Sequence, residues 1–306
     1  MPLFNPQLAL SHRHTGYSST TPDEIAQRLR DATMAIITMM PISVQDLDQC
    51  PSLKCILATS TGVDWIDRDA FLKRGIRVLN TPHTNIAAFA EHAIALYFAV
   101  RRRIIELHGV MTTTKEYYER RTLKHRFPEL PLSCSQETLG VFGYGHLGKC
   151  IESIATALGM RVLIAERKGQ PPRDGRVAFE DVLREATVLV IAAPKNRDTV
   201  DMISEGELKT MRRDAILINV ARGGIANEEA LVKCLRSGWI GAAAVDVYDG
   251  EPPQRGVSPL LEDNIPNLIL SPHLAWLSAQ IISNRQDGIV KELVAYVAGE
   301  SANVIL

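Results

Sequence analysis

From Thr138 onward the chain repeats one pattern: a short run of Val, Ile, Leu or Ala, a stretch with helical periodicity, and another apolar run. The apolar runs fall at 139–143, 161–165, 188–193, 215–220, 242–247 and 268–271. Helical patterns at 146–159, 179–185, 204–212 and 227–237 lie between them. Strands joined by helix-length crossovers pair in parallel, so six such runs predict a doubly wound α/β sheet. The first third alternates in the same way, with strands expected at 35–39, 55–59 and 77–80 and helices at 22–31, 43–49 and 66–74. The first of these helices opens on Thr21-Pro-Asp-Glu24, which supplies an N-cap and an acidic first turn.

Between the two alternating regions, Phe89, Ala93, Leu96, Val100, Ile104 and Leu107 recur at three- and four-residue steps. That spacing predicts one long helix over 85–108 with a single buried face. The polar, aromatic-tinged segment 112–135 reads as a connection or surface arm, and 278–298 as a closing amphipathic helix.

The 306 residues suffice for two domains with their own cores. A net charge of -1 offers no field for nucleic acid or an anionic membrane. Five cysteines, an odd number without metal-ligand spacing, read as free thiols in a reducing compartment, and no metal is expected. No basic start with an apolar core opens the chain, and no apolar run nears the ~18 residues of a membrane span. A cytoplasmic location is the expectation.

Gly143-Tyr-Gly-His-Leu-Gly148 follows an apolar strand and opens a helical pattern. G-x-G-x-x-G alone is a weak signal, but in this context it is a dinucleotide fingerprint. Gly143 allows the tight turn, Gly145 lets backbone approach a pyrophosphate, and Gly148 lets helix and strand pack closely. The helix N-terminus offers N–H donors and the positive end of its dipole. Glu166 ends the next strand, eighteen residues past Gly148. An acid there accepts the adenosine ribose hydroxyls and repels a 2′-phosphate, which argues for NAD. Arg167 and Lys168 beside it leave NADP open.

Three polar residues follow later strands: Arg222 after 215–220, Glu251 after 242–247 and His273 after 268–271. In an open α/β sheet the carboxyl ends of strands form the ligand crevice, so residues 51 positions apart can converge there. Reducing a 2-oxo acid requires a cation for the carboxylate and carbonyl, a role for Arg222. It also requires a general acid, which the intrinsic range of His273 suits. A carboxylate such as Glu251 would orient the imidazole and favour its protonated form.

These segments resemble the D-isomer-specific 2-hydroxyacid dehydrogenases and, within them, the glycerate dehydrogenase (hydroxypyruvate reductase) members. The resemblance rests on Ser60-Thr-Gly-Val-Asp-Trp-Ile-Asp67, Ala90-Glu-His92, the 143–148 turn, Ala165-Glu-Arg-Lys-Gly169, Asn219-Val-Ala-Arg-Gly-Gly224, Asp246-Val-Tyr-Asp-Gly-Glu-Pro252 and Ser271-Pro-His-Leu-Ala-Trp276. It implies a Rossmann nucleotide-binding domain over 106–277 and a flavodoxin-like substrate domain from 1–105 and 278–306. Arg222, Glu251 and His273 would be catalytic. Tyr144, His146, Leu147, Pro194, Thr199, Ala221 and Asp246 would join the three glycines, Glu166, Arg167, Lys168 and His273 at the cofactor, with Asp246 on the nicotinamide carboxamide. Thr61, Gly62, Val63, Arg222 and Trp276 would meet a small 2-oxo or 2-hydroxy acid. The resemblance further implies a homodimer served by the arm 112–135.

The chain departs from the family pattern in places. Its N-terminal part is about thirty residues shorter, which predicts a missing or rebuilt strand and helix in the substrate domain. Asn227 stands where Asp is common, and Lys195-Asn196 where Leu-Thr is common. His92 reads as a structural residue near the hinge. The alternative to an enzyme is a non-catalytic, NAD-sensing interaction protein on the same fold, as in corepressors.

Overall fold

Parallel strand pairing governs both parts of the chain in the computed structural model, which describes residues 12–82, 85–127, 129–300 and 303–306. The strands are β1 (Met34–Ile37), β2 (Cys55–Ala58), β3 (Arg77–Asn80), β4 (Thr138–Phe142), β5 (Arg161–Ile164), β6 (Val188–Ile191), β7 (Ile216–Asn219), β8 (Ala242–Val245) and β9 (Leu268–Leu270). The helices are α1 (Ile25–Leu29), α2 (Val44–Asp48), α3 (Arg68–Lys73), α4 (Ile86–Arg101), α5 (Ile104–Thr113), α6 (Glu116–Arg120), α7 (His146–Ala157), α8 (Phe179–Glu185), α9 (Glu205–Thr210), α10 (Glu228–Ser237) and α11 (Ile281–Val297). Two units result, one from residues up to Asn85 with Ser278–Leu306, the other from Ile86–Leu277. Among the described residues no helix is long and apolar enough to cross a membrane.

In the first unit β1, β2 and β3 lie side by side in parallel. Side chains alternate along each strand, so Ile56 and Val78 pack with Ile25, Leu47 and Phe71 on one face. Cys55, Leu57 and Leu79 pack on the other with Ile289 and Leu293 of α11. The short helices begin at side-chain caps: Ser43 accepts the Asp46 N–H at 3.1 Å and Asp67 accepts the Ala70 N–H at 3.0 Å.

The second unit has a six-stranded parallel sheet in the order β5-β4-β6-β7-β8-β9. Every residue of β6, β7 and β8 is buried, which is why these runs show no polar alternation. Leu189, Ile191, Leu217 and Val245 share a core with residues of α8, α9 and α10. Val188, Val190, Ile216 and Ile218 share the opposite core with residues of α4 and α7. The chain runs outward from β4 to β5 and returns past β4 to β6, so the switch point falls where the glycine turn leaves β4.

The single helix expected over 85–108 is two. α4 ends at Arg101, Arg103 takes a left-handed conformation (φ 51°, ψ 35°), and α5 starts at Ile104. At the break Arg101 is held on several sides. Its Nη1 donates to the Asp214 carbonyl at 3.1 Å and its Nη2 to the Thr187 carbonyl at 3.2 Å and to Glu137 at 3.0 Å. Periodicity is blind to one left-handed residue, and Ile104, expected on the buried face, is 52 % exposed. Packing against α7, β7 and β8 groups α4 with the second unit, where the resemblance implied a substrate domain running to residue 105. The arm 112–135 contains α6, whose Glu116 accepts from Arg126 Nε at 3.0 Å and pairs with His125 at 2.7 Å. The Arg126 hydrogen bond, with His125, holds the Glu116 carboxyl down to about 2.

Glu137 is 1 % exposed and depends on Arg101, Tyr97 and Thr187 for its hydrogen bonds. Arg101→Met strands this carboxylate without its cation, and we expect a loss of about 3–5 kcal/mol, the range for breaking one side of a buried pair. Urea unfolding followed by circular dichroism measures it.

Candidate active site

The turn after β4 uses each glycine differently. Gly143 has φ 97°, and a Cβ there would lie 2.6 Å from the Ala193 nitrogen, so the turn crosses directly over the end of β6. A Cβ on Gly148 would lie 2.2 Å from the Gly143 oxygen, so the first turn of α7 rests on the loop that precedes it. Gly145 N-caps α7, no side chain caps that end, and a Cβ on it would meet nothing within 4 Å. With no side-chain cap, the N-terminal end of α7 and its dipole face an open approach at Gly145, the setting a dinucleotide diphosphate requires. Tyr144 donates its hydroxyl hydrogen to Glu152, and Arg176 lies over its ring at 4.4 Å. His146 is exposed and Leu147 half-buried.

Glu166, just past β5, is buried and fully engaged. Arg173 reaches it through Nε and Nη2, both at 2.7 Å, and the N–H groups of Arg167 and Arg173 donate at 2.9 and 3.2 Å. The Arg173 side-chain hydrogen bonds, with the Arg167 N–H next, hold its carboxyl down to about 2. Sequence reasoning did not anticipate Arg173, because nothing local links positions seven apart across a loop. Lys168 pairs with Glu207 at 2.8 Å, and Arg167 is exposed. After β6, the Thr199 hydroxyl donates to the Pro194 carbonyl at 2.7 Å and closes the loop. Lys195 pairs with Asp249 at 2.7 Å, tying this loop to the one after β8.

The loops after β7, β8 and β9 carry the three residues singled out for chemistry. Asn219 shapes the first, accepting the Ala221 N–H at 3.1 Å and donating to the Arg222 carbonyl at 2.8 Å. A Cβ on Gly223 would lie 1.8 Å from the Tyr248 carbonyl carbon, so only glycine lets the Arg222 loop lie on the Glu251 loop. Arg222 is half-buried, and its Nη1 donates to the Ala221 carbonyl at 2.8 Å. His273 Nδ1 lies 2.5 Å from Glu251 Oε2, while Glu251 Oε1 accepts the Tyr248 N–H at 2.9 Å. Burial pushes the Glu251 carboxyl up, but the His273 hydrogen bond, the Tyr248 N–H and the charges of His273 and Arg222 outweigh it and hold it low. It is therefore ionised at neutral pH.

Asp246 explains how His273 is aimed. Its side chain is fully buried and accepts the N–H groups of Leu274 at 3.0 Å and Ala275 at 2.9 Å, while its carbonyl takes the His273 N–H at 2.8 Å. His273 sits at φ 52°, a conformation that a non-glycine residue keeps only when its surroundings enforce it. His92 on α4 places Nε2 3.5 Å from Asp246 Oδ1, a closer tie to the site than its sequence context suggested. Trp276, half-buried, follows on the same loop, and Ala221 is buried beside Arg222. In the first unit, Thr61, Gly62 and Val63 follow β2, held by Asn80, which donates to the Thr61 carbonyl at 2.7 Å, and by Ser60, which donates to the Gly62 carbonyl at 2.7 Å. Among the described residues, no cluster of three His, Cys, Asp or Glu side chains fits a metal ion.

A cation, an imidazole and a paired carboxylate on adjoining strand-end loops can hold an anionic substrate and move one proton. Comparison with known proteins gives the same direction. A profile of the "D-isomer specific 2-hydroxyacid dehydrogenase, NAD binding domain" matches residues 94–275. The glycerate dehydrogenase of Methylorubrum extorquens is 38 % identical over 96 % of this chain and 92 % of its own. The glyoxylate reductase of Thermococcus litoralis is 32 % identical over 87 % of this chain and 81 % of its own. A crystal structure of a Thermus thermophilus protein superposes with a TM-score of 0.79 at 32 % identity, covering 96 % of this chain and 92 % of that one.

The contact of the Arg222 loop with the Tyr248 backbone is testable without touching a polar side chain. Gly223→Ala should lower kcat/KM for the 2-oxo acid by about tenfold or more, as expected when a positioning loop shifts by an ångström. Far-UV dichroism should stay native.

Proposed function

We propose that this chain, which belongs to the D-isomer-specific 2-hydroxyacid dehydrogenase family, reduces a small 2-oxo acid of the hydroxypyruvate or glyoxylate type to its D-2-hydroxy acid. It is an NAD-dependent oxidoreductase acting on a CH–OH group. The activities of its relatives, glycerate dehydrogenase and glyoxylate reductase, support the substrate class. The observation that carries the residue roles is the 2.5 Å hydrogen bond between His273 Nδ1 and Glu251.

When bound, the reduced nicotinamide supplies the hydride that C2 of the substrate receives. Gly143, Gly145, Gly148 and the N-terminus of α7 would hold the diphosphate, with Asp246 and the loops ending at Pro194 and Ala221 nearer the nicotinamide. Arg222 holds the substrate carboxylate and polarises the 2-oxo group, because a guanidinium offers paired donors to planar anions. His273 delivers the proton to the carbonyl oxygen. Its Nδ1 is committed to Glu251, so Nε2 faces the substrate. Glu251 stays ionised, orients the ring and offsets the imidazolium charge. In the oxidation direction the same imidazole takes the hydroxyl proton. Exposed Tyr117, Tyr118 and Leu130 on the arm support a homodimer, and five free cysteines suit a reducing, cytoplasmic setting.

Loss of NADH absorbance on adding hydroxypyruvate or glyoxylate tests the reading, and inertness toward a panel of 2-oxo acids with either nicotinamide cofactor would end it. His273→Ala should lower kcat by about 10²–10⁴-fold, the usual contribution of a positioned general acid. Its NADH affinity, followed by fluorescence titration, should be unchanged.

A further inference from the structure

We propose that Arg173 cancels the selection against a 2′-phosphate that Glu166 would otherwise impose, so that this enzyme binds NADPH about as well as NADH. An acid at the end of the second Rossmann strand favours NAD in two ways. It accepts hydrogen bonds from the ribose hydroxyls, and its bare charge repels a phosphate. Both require free lone pairs and an uncompensated charge.

Glu166 has neither. A carboxylate offers about four acceptor positions, and four donors reach this one. Oε1 takes the Arg167 N–H and Arg173 Nη2, while Oε2 takes the Arg173 N–H and Nε. The side chain of Glu166 is 2 % exposed, whereas that of Arg173 is 64 % exposed. What this corner shows to solvent is a guanidinium rather than a carboxylate. Arg167 is exposed beside it, and Arg176 and Lys149 both lie over the ring of Tyr144, itself part of the glycine turn. Against these cations stand Asp174 on the same loop and Glu152, which accepts from the Tyr144 hydroxyl. Lys168 does not contribute, since it is paired with Glu207 at 2.8 Å. Arginine binds phosphate through its planar donor array, and Arg173 covers the acid that this motif sets at the ribose 2′ position.

The proposal rests on the 143–148 turn being the dinucleotide seat, and binding separates the two ideas. Fluorescence titration of the full chain with NADH and NADPH at neutral pH should give dissociation constants within about tenfold of each other, the gap falling below one charged hydrogen bond. Arg173→Ala should weaken NADPH by about 10–100-fold, the worth of such a bond, while NADH changes less than about threefold. Retained NADH binding shows that the variant folds. NADH bound more than about a hundredfold tighter than NADPH by the wild type would overturn the proposal. So would equal effects of Arg173→Ala on both cofactors. Failure of the wild type to bind either dinucleotide would overturn the seat itself as well.

Discussion

A carboxylate with no exposed surface, Asp246, organises the candidate active site of this protein. Burying that group is costly unless its oxygens are satisfied, and the N–H groups of Leu274 and Ala275 satisfy them from the loop that carries His273. The anion thereby dictates the path of the 271–276 loop, forces His273 into a left-handed conformation and points its ring at Glu251. The backbone N–H of Asp246 bonds to the carbonyl of Asn219, the residue that shapes the Arg222 loop. One buried side chain and its own backbone thus reach all three strand-end loops.

Glu166 and Glu251 show how similar surroundings lead to different chemistry. Each follows a strand of one sheet, each accepts backbone N–H donation, and each has its carboxyl held low with the help of a hydrogen-bonded nitrogen side chain, Arg173 or His273. The partner of Glu166 is a guanidinium, which does not give up its proton in water. The partner of Glu251 is an imidazole, whose two ring nitrogens can each donate or accept a proton. The first pair sets the local charge permanently, and the second is the one to which the proposed function assigns proton transfer.

Much of the nucleotide-binding unit was legible in the chain. Strands buried on both faces write themselves as uninterrupted apolar runs, and each of the six appears within two residues of its expected place. The glycine turn was legible because its spacing is short. What escaped was decided by contacts between residues far apart. α4 ends where Glu137, Thr187 and Asp214 meet Arg101 and Arg103 turns left-handed, and no periodicity reports this. Arg173 on Glu166 and His92 beside Asp246 are pairings that sequence spacing does not mark. The helix α6 escaped because its order comes from Glu116 gripping His125 and Arg126 rather than from an apolar stripe.

The Arg101–Glu137 contact lies at the amino end of the parallel strands, and the loops with His273, Glu251 and Arg222 lie at their carboxyl end. Faults at the two ends would look different in a living cell. Harm at the amino end lowers the folded fraction and exposes the chain to proteases, so the symptom is scarcity. Harm at the carboxyl end leaves a full complement of well-folded but idle molecules. A quantitative immunoblot beside an activity stain would sort newly arising variants into the two groups before any was purified.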